Sequence, residues 1–145
     1  MNKLLIIGII MLISVAISIP FEIKRRRRLN RYWSRSCTGK DWKRRFPEVP
    51  KQDIRDFLEV FVDGFAFSSK KRLKFNPDDK VMDVYRALYP SPGWPDTLEL
   101  ETFADNLLKK YKIDLSEIIA EDITFGEIFR ITRKSGSNKA LQATV

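Results

Sequence analysis

The stretch Asp96–Tyr111, DTLELETFADNLLKKY, has the clearest helical pattern in the chain. Its apolar residues recur at intervals of three and four, and this spacing places them along one face of an α-helix. The residues on that face are Leu100, Phe103, Ala104, Leu107, Leu108 and Tyr111. The stretch therefore predicts an amphipathic helix that buries one face against the rest of a small domain.

Both ends of this helix carry residues that favour its start and its finish. Asp96 is positioned to cap the N-terminus, and Glu99, three residues later, completes a capping box. Glu99 also lies at the positive end of the helix dipole, whereas Lys109 and Lys110 lie at the negative end. Pro95 directly before the cap gives the helix a defined start.

A second segment, Lys51–Phe65, repeats the same apolar spacing and predicts a packed helix. Its stripe consists of Ile54, Phe57, Leu58, Phe61, Val62 and Phe65. The basic stretch Ser68–Asn76 lacks this spacing and is predicted to be a loop. A short capped helix is predicted from Asn76-Pro77-Asp78-Asp79 to Leu88.

The C-terminal part adds a helical turn and a last helix to the prediction. Ser116–Ala120 suits a turn, and Thr124 with Glu127 forms a second capping box before Phe125, Ile128 and Phe129. Residues 51–134 are therefore predicted to be an all-α helical bundle. Residues 135–145 lack periodicity and are predicted to be a disordered tail.

The N-terminus carries an apolar run, Leu4–Phe21, of eighteen residues without a charge. As a helix it would extend roughly 27 Å, close to the thickness of the hydrocarbon core of a bilayer. The alternative is a cleaved signal peptide, because Ala16-Ile17-Ser18 has small residues where a signal peptidase requires them. The basic cluster follows the run instead of preceding it, so residues 1–23 are predicted to be an uncleaved transmembrane anchor.

The basic cluster also predicts how the anchor is oriented. Only Lys3 precedes the run, whereas five consecutive cations, Lys24, Arg25, Arg26, Arg27 and Arg28, follow it. Flanking cations favour the cytoplasmic side of a membrane. The sequence therefore predicts a single-pass protein of the inner or plasma membrane with its C-terminal domain in the cytoplasm.

The net charge of +8 is concentrated next to this run. Residues 24–46 hold eleven Lys or Arg and one acid, whereas residues 47–134 hold fourteen Lys or Arg and seventeen acids. Residues 24–50 are predicted to be a basic juxtamembrane linker, with the domain boundary at Phe46–Pro50. Its cations suit anionic lipid headgroups, and the slightly acidic domain makes nucleic-acid binding the less favoured alternative.

The residue types argue against an enzyme. The chain has no His, so imidazole general-base chemistry and His metal sites are excluded. Cys37 is the only cysteine, which excludes an intrachain disulfide and a cysteine-cluster metal site. We find no Gly-rich phosphate loop, nucleophile elbow or metal-ligand cluster, so we expect no catalytic residues and no metal.

The order of the predicted elements resembles the acyl carrier protein fold. The similarity lies in Asp96-Thr97-Leu98, in Tyr111-Lys112-Ile113-Asp114-Leu115 and in the segment DITFGEI at 122–128. In carrier proteins an Asp-Ser-Leu triplet opens the second helix, and an aromatic–x–Ile–x–Ile/Leu stretch closes it. The resemblance covers roughly residues 51–131 and implies an acyl-carrier-like helical bundle, here preceded by a single transmembrane helix.

The resemblance also implies a possible cofactor site. Carriers attach 4'-phosphopantetheine to the serine of that triplet, so a true carrier would be loaded at Thr97, beside Asp96, or less favourably at Ser91. Threonine is a secondary alcohol whose extra methyl group hinders transfer. We therefore expect no cofactor, with phosphopantetheine as the alternative.

In the carrier family the same helix presents acids to basic partner proteins. The resemblance thus implies that Glu99, Glu101 and Asp105 form a partner-binding surface. The sequence favours a membrane-anchored, non-catalytic acyl-carrier-like module for protein binding or scaffolding. The alternatives are a true carrier, and a module that binds anionic lipid or nucleic acid through the basic segment.

Overall fold

The described part of the chain is all-helical. The structure, a computed structural model, describes residues 2–89 and 97–142, with residues 137–142 as backbone only, and contains no β-sheet within these ranges. Seven α-helices follow in order: α1 Lys3–Trp33, α2 Gly39–Arg45, α3 Lys51–Gly64, α4 Val81–Leu88, α5 Leu98–Tyr111, α6 Leu115–Ile118 and α7 Phe125–Gln142. The all-α prediction is therefore confirmed.

The loop predicted between α3 and α4 contains a 3-10 helix, Ser69–Lys74. This helix packs on α3, and an ion pair between Arg72 and Glu59 (2.9 Å) joins the two. The pKa of Glu59 is lowered, first by the hydrogen bond from Ser69 and then by Arg72. Six successive residues thus form regular structure without any apolar periodicity in the sequence.

Aromatic rings fill the core, with Phe61 of α3 at its centre. Phe61 is fully buried and contacts five other rings, those of Phe65, Phe67, Phe75, Phe103 and Phe125, at centroid distances of 4.4–6.2 Å. Such edge-to-face pairs add to the free energy of burial. The predicted stripe of α3 is correct at every position, since all six of its residues are buried.

α5 packs on α3 at very close range. A Cβ atom added to Gly64 would lie 2.7 Å from the Cα of Phe103, so only glycine permits this approach. Phe103 and Leu107 are buried, as predicted. Leu108 is 47% exposed, so its assignment to the buried stripe was wrong: it lies at the edge of the face, beyond the contact with α3.

The basic segment 24–50 is part of the domain and not a separate linker. α1 continues without interruption from the apolar run to Trp33, and its residues Leu29 and Tyr32 are 7% and 1% exposed. Trp42 of α2 is completely buried between Phe57 and Phe129. The prediction of a linker was wrong because these apolar side chains point into the core while the cations between them face outward.

The last helix confirms one prediction and corrects another. The backbone N–H of Thr124 donates to Glu127 (2.8 Å), and the N–H of Glu127 donates to the Thr124 hydroxyl (3.3 Å), as expected of a capping box. The backbone and hydroxyl hydrogen bonds from Thr124 lower the pKa of Glu127. α7 then continues to Gln142, so the tail predicted to be disordered from residue 135 is helical to that point.

Candidate functional site

α4 runs antiparallel to α1 and ends close to its apolar part. Arg31 faces Asp83 (4.0 Å), and the guanidinium of Arg28 donates to the carbonyl oxygen of Arg86 (3.3 Å). Arg28 precedes Arg31 by three residues in α1, whereas its partner Arg86 follows Asp83 by three residues in α4, so the two helices run in opposite directions. The C-terminal end of α4 is therefore the end nearest to the apolar run.

The N-terminal end of α5 lies beside that end of α4. The hydroxyl of Tyr89, the residue after α4, donates to the carboxylate of Glu99. Further along the helix, the ammonium of Lys110 donates to the carbonyl of Asp56 in α3 (3.2 Å), beside the segment that holds Trp42. The start of α5 and the apolar run consequently lie on the same side of the domain.

Thr97 is the residue directly before α5 and is exposed. Its hydroxyl donates to the carboxylate of Glu101 (2.6 Å) and caps no backbone group of the helix. Asp96, the expected cap and acid, lies outside the described residues, as does Ser91. The helix starts at Leu98 with Thr97 in the N-cap position, one residue later than the cap that the sequence predicts.

The three acids predicted to bind a partner differ in their surroundings. Glu99 is half-buried and accepts the bond from Tyr89, whereas Glu101 and Asp105 are exposed. Glu101 and Asp105 share an outward face of α5 with Leu98, which is 60% exposed, and with Leu108. The structure thus brings Glu101 and Asp105 together on a mixed acidic and apolar surface, and it turns Glu99 toward α4.

The five cations after the apolar run divide into two groups. Arg25 pairs with Glu22 (2.6 Å) and Arg28 bonds to α4, so both also hold local structure. Lys24, Arg26 and Arg27 are exposed and form no ion pair with any other described residue. Arg31 also belongs to the cations of α1, although the sequence did not indicate it. Its contact with Asp83 of α4 shows this position.

A cleft of about 520 Å³ lies between α3, α5 and α7. Tyr111 lines it beside Asp53 and Asp56, and burial together with these carboxylates raises the tyrosine pKa to about 12. Asp53 is already paired with Arg133 (2.6 Å), and Asp56 accepts from Gln52 (2.7 Å). Both carboxylates of the cleft are therefore already engaged by other residues of the domain.

Comparisons with models of protein families, with curated proteins and with solved structures give no match for this chain. Within residues 2–89 and 97–142, no group of three or more Cys, Asp or Glu side chains is arranged to hold a metal ion. The candidate site is therefore defined by the geometry of α1, α4 and α5 alone. It consists of the exposed cations of α1 and the exposed acids at the start of α5.

Proposed function

We propose that this protein is a membrane-anchored, non-catalytic binding module that presents the exposed face of α5 to a basic protein partner near the membrane surface. α1 is the one described helix long and apolar enough to span a membrane. In this proposal it spans the inner or plasma membrane once, and the domain lies in the cytoplasm.

The observation that supports this proposal best is the continuity of α1. The helix passes from the apolar run through the basic cluster to Leu29 and Tyr32, which are buried in the domain core. A single helix, which contains Pro20, therefore joins the anchor to the domain, and Tyr32 lies about 17 Å along the helix axis beyond Phe21. This geometry would keep the start of α5 close to the bilayer.

The unpaired cations support a contribution from lipid. Lys24, Arg26 and Arg27 follow the apolar run at the level expected for headgroups, and each would contribute on the order of 1 kcal/mol of attraction to an anionic surface. The same charges favour retention on the cytoplasmic side. Contact with anionic headgroups thus belongs to the anchoring function.

We expect a reporter that works only in the cytoplasm to be active when it is fused to the C-terminus of the full-length chain. A reporter that works only outside the cytoplasm should be inactive there. The positive charge that follows the apolar run retains that flank in the cytoplasm. The measurement compares a reporter that works only in the cytoplasm with one that works only outside it, together with the mass of the membrane-bound protein. Activity of the outside reporter, or a mature chain that begins at Ile19, would refute the anchor.

Two triple variants test whether the unpaired cations set the orientation. The first variant neutralises these cations and leaves the packed ones unchanged, and the second is its control. Replacing Lys24, Arg26 and Arg27 by glutamine should reduce the fraction of correctly oriented protein, because the flanking charge falls. Replacing Lys109, Arg130 and Lys134 by glutamine changes the net charge equally, far from the anchor, and should leave the orientation unchanged.

A true acyl carrier is the second candidate function. Thr97 precedes α5 with an exposed hydroxyl, the position at which the carrier resemblance expects the attachment group. Its bond to Glu101 and its β-methyl group both restrict the hydroxyl, and a β-branched side chain has few rotamers near a helix. We therefore favour the binding module.

We expect the protein to remain unmodified when it is expressed with a broad-specificity phosphopantetheinyl transferase. Transfer needs a hydroxyl that can be placed in line with the pyrophosphate linkage, and Thr97 offers a secondary alcohol whose extra methyl group hinders this placement. Intact mass is the measurement, and Thr97→Ser is the informative variant, since its loading would show that the transferase still recognises the surface. A mass gain on the unaltered chain that Thr97→Ala abolishes would make the protein a carrier.

A further inference from the structure

A second charged feature is lined by residues that follow the C-terminal end of α1 in the chain. It is a cleft of about 320 Å³ between α2, the start of α3 and the end of the 3-10 helix. The lining residues are Cys37, Gly39, Lys40, Lys43, Lys51, Ile54, Arg55 and Leu73. We refer to it as the cationic cleft, because four of these residues are cations and none is an acid.

The four cations form two pairs on facing helices. Lys40 and Lys43 are three residues apart on α2, and Lys51 and Arg55 are four residues apart on α3, so each pair shares a helix face. Like charges at this spacing destabilise a helix by a few tenths of a kcal/mol. The arrangement thus opposes stability, and a bound anion would compensate for it.

Two acids close to these cations in sequence are paired with other residues. Asp41 of α2 contacts Arg44 (3.5 Å) and accepts from Asn76 (3.0 Å). Glu59, one turn after Arg55, is paired with Arg72 (2.9 Å). The ammonium of Lys43 donates to the carbonyl oxygen of Val49 (2.9 Å), which positions the group and leaves its charge uncompensated.

Hydrogen bonds hold the frame of the cleft in place. The backbone N–H of Thr38 donates to the carbonyl of Leu73 (2.9 Å), and its hydroxyl donates to the carbonyl of Phe75 (2.7 Å). The indole of Trp42, on α2 between the two lysines, donates to the same carbonyl of Phe75 (2.8 Å). The cleft is therefore preformed, and the 3% exposed Ile54 with the half-buried Leu73 supplies an apolar wall.

We propose that the cationic cleft binds a small soluble molecule that carries a phosphate group and an apolar group. Phosphate is an anion that lysine and arginine both recognise, with the guanidinium able to donate two parallel hydrogen bonds. The volume is at the lower end of the range for ligand sites, about 300–1,000 Å³, which suits a small molecule. Half-buried Leu73 provides the accessible surface for the apolar group, and the buried Ile54 lies behind it.

The position of the cleft favours a soluble ligand over a lipid headgroup. α1 ends at Trp33, twelve residues after Phe21, and this corresponds to about 18 Å along the helix axis. The lining begins with Cys37, still further along the chain. In the proposed anchoring geometry the cleft therefore lies beyond the headgroup layer and opens to the aqueous phase.

Cys37 makes the proposal testable on the full-length chain. It is the only cysteine, it is exposed, and it lies at the edge of the cleft, so alkylation by iodoacetamide reports on occupancy. In detergent-solubilised protein, phenyl phosphate should slow this reaction saturably at millimolar concentrations. Inorganic phosphate should protect more weakly because it lacks the apolar group, and benzyl alcohol should not protect.

A charge-matched pair of variants separates a built site from general electrostatics. Replacing Lys51 and Arg55 by glutamine should weaken protection by phenyl phosphate roughly tenfold for each charge-assisted contact that is lost. Replacing Lys109 and Lys134, which are exposed elsewhere, should leave it unchanged. Circular dichroism of both variants checks that the fold is retained.

Four results would overturn the proposal. The first is no saturable protection, and the second is equal protection by sodium chloride at the same ionic strength. The third is an equal loss of protection in the two double variants. The fourth is stronger protection by a short polyglutamate peptide than by phenyl phosphate, which would assign the cleft to an acidic protein segment.

Discussion

Replacing Phe61 by alanine is expected to lower the free energy of unfolding by about 3–5 kcal/mol. Phe61 is completely buried and its ring contacts five other rings, which come from α5, α7 and the segments on either side of the 3-10 helix. Alanine would leave a cavity that these rigid rings cannot fill by a small movement. A domain of this size has only about 5–15 kcal/mol in total, so much of its stability should be lost.

Thermal and denaturant unfolding of the detergent-solubilised protein measure this effect. Leu108→Ala is the matched control, because Leu108 was predicted to share the buried stripe of α5 and is 47% exposed. Its effect should stay within about 0.5 kcal/mol, as for other surface substitutions. A loss below about 1 kcal/mol for Phe61→Ala, against the 3–5 kcal/mol of a large buried side chain, would show that α3 does not face the core.

The sequence predicts the helices well where a long apolar stripe repeats. All six stripe residues of α3 are buried, and α5 ends at Tyr111 as expected. Periodicity specifies which side of a helix is buried, but it does not specify how far the contact extends. Leu108 illustrates this limit, because it shares the periodic spacing of the stripe and yet is 47% exposed.

The sequence misses the part of the core that is contributed by isolated residues. Tyr32 and Trp42 lie in a strongly basic segment with no apolar repeat, which is typical of a solvated linker. Tyr32 packs against Phe75, and Trp42 packs against Phe57 and Phe129. Long cationic side chains can flank a buried aromatic residue and still reach water, so composition does not reveal the contact.

The same limit applies to the functional surfaces. The sequence indicates Glu101 and Asp105 as acids of one helix, but only the Tyr89–Glu99 bond and the antiparallel packing of α4 on α1 locate them near the apolar run. The cationic cleft joins residues from α2 and α3 that are separated by two prolines. Such sites arise from tertiary packing, which single-sequence patterns do not report.

A chain truncated to residues 51–145 should fail to fold cooperatively, whereas one that begins at residue 24 should fold. The shorter chain lacks Tyr32 and Trp42, which are 1% and 0% exposed, and it lacks Leu29 as well. Removing two large buried aromatic residues costs about 6–10 kcal/mol if each costs 3–5 kcal/mol. That loss is comparable with the whole stability of a small domain, about 5–15 kcal/mol.

Near-ultraviolet circular dichroism and thermal melting of the two soluble chains provide the measurement. A third chain that begins at residue 35 keeps Trp42 and loses Leu29 and Tyr32, so it should melt at a lower temperature than the chain that begins at residue 24. Equal melting temperatures for all three chains would instead support a domain boundary at Phe46–Pro50, the position that the prolines suggest. The graded result would mean that the membrane helix is an integral part of the domain core, because the residues that α1 and α2 contribute are then needed for folding.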